Sequence, residues 1–287
     1  MTLIELVVTI VIVGIILAAV AFFLTPLRQG TDIAARAELT DIADNALQRM
    51  GREVKLALPN SVRTTSAGSS NFLEFIAVRT AGRYRAGGGG LAGGTDCPPD
   101  DAALVAPDYD QLSFDLPDTC FKTLGKLTGT IATGSDQLVL NNYGFPDQDA
   151  YQTAAILNRV VITGVDTAEA GRDRISFAAT TFVRALHDSP GKRFFAISGP
   201  VTYQCDLAAG RLYRHSGYAL SAVQPVAFGG SPALVAEHVN SCEFVYTPGV
   251  SAQLGLLTLR LRLQRQLFGG TLETVSLYHA VHVNNAP

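Results

Sequence analysis

Charge of one sign is scarce in this chain: 22 basic residues stand against 25 acidic ones, a net charge of −3 over 287 residues. So weak a field does not gather nucleic acid or an anionic membrane surface, and nucleic acid is not expected among the partners. Cysteine is sparse too, with Cys97, Cys120, Cys205 and Cys242 the full set and no CxxC pair among them. The missing spacing argues against a zinc ribbon or a thioredoxin-type site, whereas an even, scattered set suits disulfides in an oxidising, extracytoplasmic compartment. The glycine-rich run Gly87–Gly94 lacks the Lys-Ser/Thr of a P-loop and reads as a solvent loop leading to Cys97. No serine stands in a GxSxG context, so a nucleophile elbow is absent.

Metal chemistry has little to draw on. His279 and His282 are three apart in an expected strand, so they point to opposite faces, and His187, His215 and His238 are scattered. Asp147 and Asp149 offer two carboxylates to a calcium loop, against the six to eight oxygens that calcium takes. No catalytic residue, metal or cofactor is expected, and the chain does not read as an enzyme.

What is present is apolar bulk. At 47% hydrophobic, with 14 Phe and 9 Tyr, the chain can bury a sizeable core. Length alone suggests about two domains, although one large all-β head would also account for it.

The N-terminus is the sharpest feature. From Met1 to Leu24 the only charged side chain is Glu5. As a helix this segment is about 36 Å long, against a hydrocarbon core of about 30 Å. A cleavable secretory signal would carry a basic start and a shorter apolar run; Ala19-Val20-Ala21 supplies only the small residues of a cleavage site. An ordinary membrane anchor explains the length but not the acid. A carboxylate in a bilayer costs about 2.5–3.5 kcal/mol, which makes Glu5 a functional candidate in need of a partner.

Downstream, Ala35, Leu39, Ile42, Ala43, Ala46, Leu47, Met50 and Val54 recur at spacings of three and four, one apolar stripe along a helix. Pro59-Asn60 closes it, which places the helix end near Leu56–Leu58. An unbroken rod over residues 1–56 would be about 84 Å long. Gly14, Pro26 and Gly30 are its weak points, and a break or melted stretch is expected there. Beyond Pro59 the period shortens toward two. Strands are expected at Phe72–Arg79, Gln111–Leu116, Gln137–Asn141, Arg159–Gly164 and Arg174–Ala178. Hairpins are expected from Phe194–Cys205 with Arg211–Tyr218, and from Leu254–Gln266 with Thr271–Asn284 around Phe268-Gly269-Gly270. Leu257, Leu259, Leu261 and Leu263 alternate with polar residues, the mark of an antiparallel sheet with one buried face. Among three possible connectivities, Cys97–Cys120 and Cys205–Cys242 are expected, the second because Cys205 ends one predicted strand and Cys242 begins another.

Thr2-Leu3-Ile4-Glu5-Leu6, followed by apolar residues and Gly14, resembles the mature N-terminus of the type IV pilin family. Many type IVa pilins carry a proline where this chain has Phe22; here it stands at Pro26. Four further segments, Arg36–Asp44, Leu58–Arg63, Gly199–Cys205 and His279–Asn285, are similar to those of minor pilins of the mannose-sensitive haemagglutinin (MSHA) pilus biogenesis group. The resemblance implies an α+β fold in which a long hydrophobic helix packs on a large antiparallel β head. Residues 1–24 would form the transmembrane and filament-core half of the helix, 25–58 its amphipathic half, and 59–287 the head, with a Gly-rich insertion at about 81–120. It implies N-methylation of Met1 after a prepilin peptidase removes a leader, and pairing of Glu5 with a terminal amine, of another subunit or of its own chain. The implied partners are other pilin subunits, the inner membrane before assembly, and the peptidase and assembly machinery. The head would then lie in the periplasm before assembly and on the extracellular pilus after it. A major pilin, a type II secretion pseudopilin with the same Glu5, and a membrane-tethered hydrolase are the other readings the residues leave open.

Overall fold

The computed structural model describes every residue except 1, 86–96, 98–110, 153–157, 250–253, 268–269 and 287, and gives the backbone alone over 21–32. The glycine run Gly87–Gly94, Met1 and most of the turn Phe268–Gly270 therefore lie outside the described residues.

The fold is α+β: one apolar N-terminal helix joined to a large antiparallel β head. Helix α1 spans Leu3–Lys55, 53 residues, or about 80 Å. Its backbone stays helical through Gly14, Pro26 and Gly30, so the expected break is not present. Pro26 withholds a single N–H from a ladder that many good helix formers extend on both sides, and one missing bond does not interrupt it. The helix ends at Leu56, whose N–H donates to the Glu53 carbonyl while the Ala57 N–H donates to that of Val54, with Arg52 and Lys55 in the last turn where the helix carries its partial negative charge.

Strands follow in the order β1 Arg63–Ala67, β2 Ser70–Arg83, β3 Pro117–Lys122, β4 Gln137–Leu140, β5 Arg159–Asp166 and β6 Arg174–Thr181. After the one-turn helix α2, Arg184–His187, come β7 Arg193–Asp206, β8 Arg211–Ser216, β9 Ala233–Ala236, β10 Val239–Thr247, β11 Leu254–Gln266 and β12 Leu272–Asn284. The last three form their own antiparallel sheet, ordered β10-β11-β12, and the others a nine-stranded sheet in which seven follow the path β1-β2-β7-β4-β5-β6-β3 and β8, with β9 beside it, branches from β7. Strand β7 changes partner midway. Phe194–Ile197 pair with β4, Val201–Asp206 pair with β8, and β2 runs along the other edge of both halves. Gly199-Pro200 occupies the switch, where Gly199 at φ 113° turns the chain and Pro200 has no N–H for a ladder.

Residues Gln111–Leu116 are not a strand, contrary to expectation. The Asp118 carboxylate captures the N–H groups of Ser113 and Cys120, at 2.8 and 3.0 Å, and Asp115 takes a left-handed backbone, φ 67°. These local bonds compete with a ladder, and pairing starts only at Pro117. Leu112 and Phe114 are buried all the same.

Two main cores result. In the first, Leu39, Ala43, Ala46, Leu47, Met50 and Val54 of α1 pack on the inner face of the β10–β12 sheet, against Leu257, Leu259, Leu261, Leu263, Val281 and Val283, with Leu73, Phe75 and Tyr203 of the large sheet. Alternation puts every inner β11 leucine on that face. Gly51 permits the close approach: a Cβ there would lie 2.7 Å from His279 Nε2. The second core is aromatic, built by β3–β6 with the far ends of β2 and β7, with Phe121 and Phe194 edge to face at 5.1 Å. Two disulfides brace these lobes. Cys205–Cys242 ties β7 to β10, Cα atoms 6.4 Å apart, and so links the two sheets. Cys97–Cys120 anchors the chain before β3, Cα atoms 5.8 Å apart.

Candidate functional site

The free half of α1 is the first candidate. From Leu3 to Val20 every side chain is exposed, thirteen of them Leu, Ile or Val, from 48% at Val20 to 83% at Leu3. Leaving that many branched apolar side chains in water costs on the order of 20 kcal/mol. This segment is long and apolar enough to cross a membrane, and by position it can be an anchor or a signal sequence. Among the described side chains, the fully buried part of the amphipathic stripe begins at Leu39, and the head contacts it makes lie in the second half of the helix.

Glu5 stands in the first turn of this segment. Its carboxylate accepts the Thr2 N–H at 3.4 Å, while its own N–H donates to the Thr2 carbonyl at 3.1 Å. A carboxylate there also faces the positive end of the helix dipole, a stabilisation of about 0.3–1 kcal/mol. Thr2-x-x-Glu5 is a capping-box spacing, a signal in the sequence that points to helix initiation as a second duty for the acid. Met1, the other residue of the expected assembly site, lies outside the described residues. Gly14 lies on an open helix surface, with nothing within 4 Å of where a Cβ would stand.

The junction between helix and head is the second candidate. Asn60, at φ 58°, donates through Nδ2 to the carbonyls of Asn142, 2.8 Å, and Asn285, 3.0 Å, and the Asn285 side-chain oxygen accepts the Asn60 N–H at 3.2 Å. Asn142 in turn donates to the Pro59 carbonyl at 2.7 Å. The segments Leu58–Arg63 and His279–Asn285, remote in sequence, thus meet at the end of α1. One step further in, Arg63, Glu74 and Thr202 form a row across β1, β2 and β7. Arg63 Nε donates to the fully buried Glu74 carboxylate at 2.9 Å, and its remaining nitrogens donate to the Ser221 and Ala222 carbonyls. The guanidinium lies 3.6 Å over the Tyr151 ring, and the Tyr218 hydroxyl donates to the other Glu74 oxygen at 3.2 Å. Burial pushes the Glu74 carboxyl up, against the lowering pull of Arg63. This is a positioning network that fastens the loop after β8 to the sheet. It was not legible in the sequence, because nothing local ties residue 74 to 218.

The histidines fall into separate surroundings. His187 is buried, accepts the Val183 N–H on Nδ1 at 3.1 Å and bonds the Asp147 carbonyl through Nε2 at 2.9 Å; burial lowers its pKa. His215 stacks on Phe228 at 4.2 Å. His279 is half-buried against α1 and His282 is exposed on the other face of β12. His238 lines an open polar cleft of about 370 Å3 with Arg211, Glu237, Asn240 and Gln264. No serine, threonine or cysteine lines that cleft beside the histidine. Asp149 is engaged in its own turn, accepting the Tyr151 N–H at 2.9 Å. Among the described residues no three His, Cys, Asp or Glu side chains converge as metal ligands.

No family model, curated protein or solved structure matches this chain.

Proposed function

We propose that the chain is a type IV pilin-like structural subunit, a minor pilin of the MSHA kind, that assembles through α1 into an extracellular filament used for attachment. The observation that carries this reading is the exposed apolar half of α1, Leu3–Val20, with Glu5 in its first turn, continuous with a helix whose second half is built into a disulfide-braced head. A membrane satisfies such a rod before assembly, and neighbouring rods satisfy it afterwards. A head-to-tail contact of that type does not close on itself, and its repetition makes a helical fibre. Glu5 then exchanges its Thr2 N–H for the terminal amine of an adjacent subunit. The head, inner-membrane-tethered and periplasmic before assembly, is large for the repeating unit of a thin fibre, which favours a low-copy subunit.

The test is Glu5→Ala in the full chain. The variant is expected to insert in the membrane at the level of the unaltered chain and to be lost from filaments sheared from cells. Undiminished incorporation removes the role of Glu5. Mass spectrometry of the sheared material decides the copy number: this chain as the dominant component overturns the minor-subunit assignment.

A further inference from the structure

The C-terminal sheet ends in an open edge. Strand β12, Leu272–Asn284, has 13 residues, about 40 Å of extended chain, and lies last in the order β10-β11-β12. Its register against β11 runs the whole length without a bulge. Two hydrogen bonds fix which way its backbone groups point. The Leu267 N–H donates to the Thr271 carbonyl across the hairpin, and the Gln264 N–H donates to the His238 carbonyl on the β10 side, both at 2.8 Å. Alternation along an antiparallel pair then joins the odd-numbered residues of β12 to β11 and turns the N–H and C=O of every even-numbered residue, Leu272 to Asn284, outward. Among the described residues no backbone or side-chain group pairs with them.

Exposed edges are normally blunted by shortness, bulges, lysine or proline. The strands at the other sheet ends obey this. Strands β1, β3 and β9 have 5, 6 and 4 residues. Strand β10 carries a bulge between Val239 and Ser241 and is held to the large sheet by Cys205–Cys242 and by Asn71, whose Nδ2 donates to the Cys242 carbonyl at 2.8 Å. Strand β12 has none of these devices. It contains no Lys, Arg or Pro, and its one acid, Glu273, is engaged by Arg36 at 3.5 Å. At its C-terminal end, Asn284, the edge runs into an apolar groove of about 320 Å3 lined by Leu56, Ala57, Val78 and Phe195, with Lys55 and Arg193 in its walls. Among the described residues neither cation has an ion-pair partner.

We propose that the β12 edge and this groove form one docking site for an extended, acidic segment of another polypeptide. The segment adds as a fourth strand beside β12, seats an apolar side chain in the groove and brings carboxylates to Lys55 and Arg193. Backbone chemistry fixes its conformation, because outward N–H and C=O groups repeating at every second residue are satisfied together only by an extended main chain. The groove and the two unpaired cations fix its composition. A second copy of this chain does not meet these demands. Strand β12 runs in the direction of α1, since Arg36 meets Glu273 and Gly51 faces His279 and Val281. Antiparallel pairing of two β12 edges therefore points the apolar ends of two α1 helices in opposite directions, away from any single membrane. In either direction a second β12 offers the two cations only Glu273, already paired with Arg36. The site is the same whether the apolar half of α1 lies in a membrane or in a filament.

The experiment uses the full chain in detergent micelles and a synthetic peptide of about twelve residues that alternates valine with threonine and ends in two glutamates and a phenylalanine. In the chain alone, hydrogen exchange followed by NMR is expected to find the amides of Ser276, Tyr278 and Ala280 fast and those of Val275, Leu277 and His279 slow; the peptide should slow the first three at least about tenfold. Ser276→Pro with Ala280→Pro removes outward N–H groups and leaves the bonds to β11 in place, so it should weaken peptide binding about tenfold or more. Should the prolines unfold the chain, Lys55→Glu with Arg193→Glu supplies the second variant: it is expected to weaken binding of this peptide about tenfold and to favour one with lysines in place of the glutamates. Slow exchange at 276, 278 and 280 in the chain alone overturns the open edge, and a doubled mass in sedimentation would assign its cover to a second copy. Fast exchange that the peptide leaves unchanged overturns the docking site, and equal binding of the glutamate and lysine peptides overturns the acidic occupant.

Discussion

Substituting Arg63 by Met isolates a fully buried carboxylate of the head, Glu74. Glu74 is 0% exposed and its carboxylate rests on the Arg63 guanidinium at 2.9 Å and the Tyr218 hydroxyl at 3.2 Å. Removing one member of a buried pair costs about 3–5 kcal/mol, because the other charge is left without compensation. The carboxyl can escape by taking up a proton, and that escape sets an upper limit that depends on pH. From its ordinary value of 4.5, holding the proton to pH 8 costs about 5 kcal/mol at 1.36 kcal/mol per unit, and holding it to pH 5 less than about 1 kcal/mol. The sign follows from linkage: burial raises the folded-state value, so the folded chain binds the proton more tightly than the unfolded one. The stability this contributes is present at low pH and is lost as pH rises through the folded value. Without Arg63 the rise is larger and the loss steeper. Urea unfolding of the full chain in detergent, followed by the nine tyrosines in a protein without tryptophan, is expected to show Arg63→Met destabilised by about 3–5 kcal/mol at pH 8 and by far less at pH 5. Adding Glu74→Gln should recover most of the deficit at pH 8. Equal destabilisation at both pH values, or no recovery with Glu74→Gln, refutes the account, since the loss would then come from the cation over Tyr151 and the two loop carbonyls alone.

Three other outcomes are checked on the same protein. Cys205→Ala with Cys242→Ala opens a loop with a sequence separation of 37, and urea unfolding is expected to show a loss of about 4 kcal/mol in the chain-entropy account; a loss under about 1 kcal/mol would mean that the two sheets hold together by packing alone. Gly51→Val forces a Cβ to 2.7 Å from His279 Nε2 and 3.3 Å from Val281, and should destabilise the helix–sheet contact by about 1–3 kcal/mol despite the helix propensity gained; an unchanged midpoint shows that His279 swings aside freely. His187, neutral between the Val183 N–H and the Asp147 carbonyl, has its value lowered by burial, so its contribution to stability is present above the ordinary histidine value and lost as pH falls through the folded one. An NMR titration placing His187 at or above 6.5 would contradict this.

The junction between helix and head leaves no signal in the sequence. Asn60, Asn142 and Asn285 are unremarkable turn residues taken singly, and only the fold brings them to one point. Strands β1, β3 and β9 carry short or irregular patterns, and the Gln111–Leu116 alternation was outweighed by side-chain bonds from Asp118. The capping-box spacing Thr2-x-x-Glu5 is legible in the sequence beside the charge of Glu5.

Read alone, the sequence determined the elements whose period is long and uninterrupted. The apolar run from Leu6 to Leu24, the stripe from Ala35 to Val54 and the alternating leucines of β11 each repeat a local rule often enough that no neighbour needs to be known. Tertiary structure decided the rest: the division of β7 between β4 and β8, the pairing of Arg63 with a carboxylate and an aromatic ring from two other segments, and the exposure of the helix face opposite the core. Those are matters of which distant surfaces meet, and a contact between residues far apart in the chain leaves no period along it.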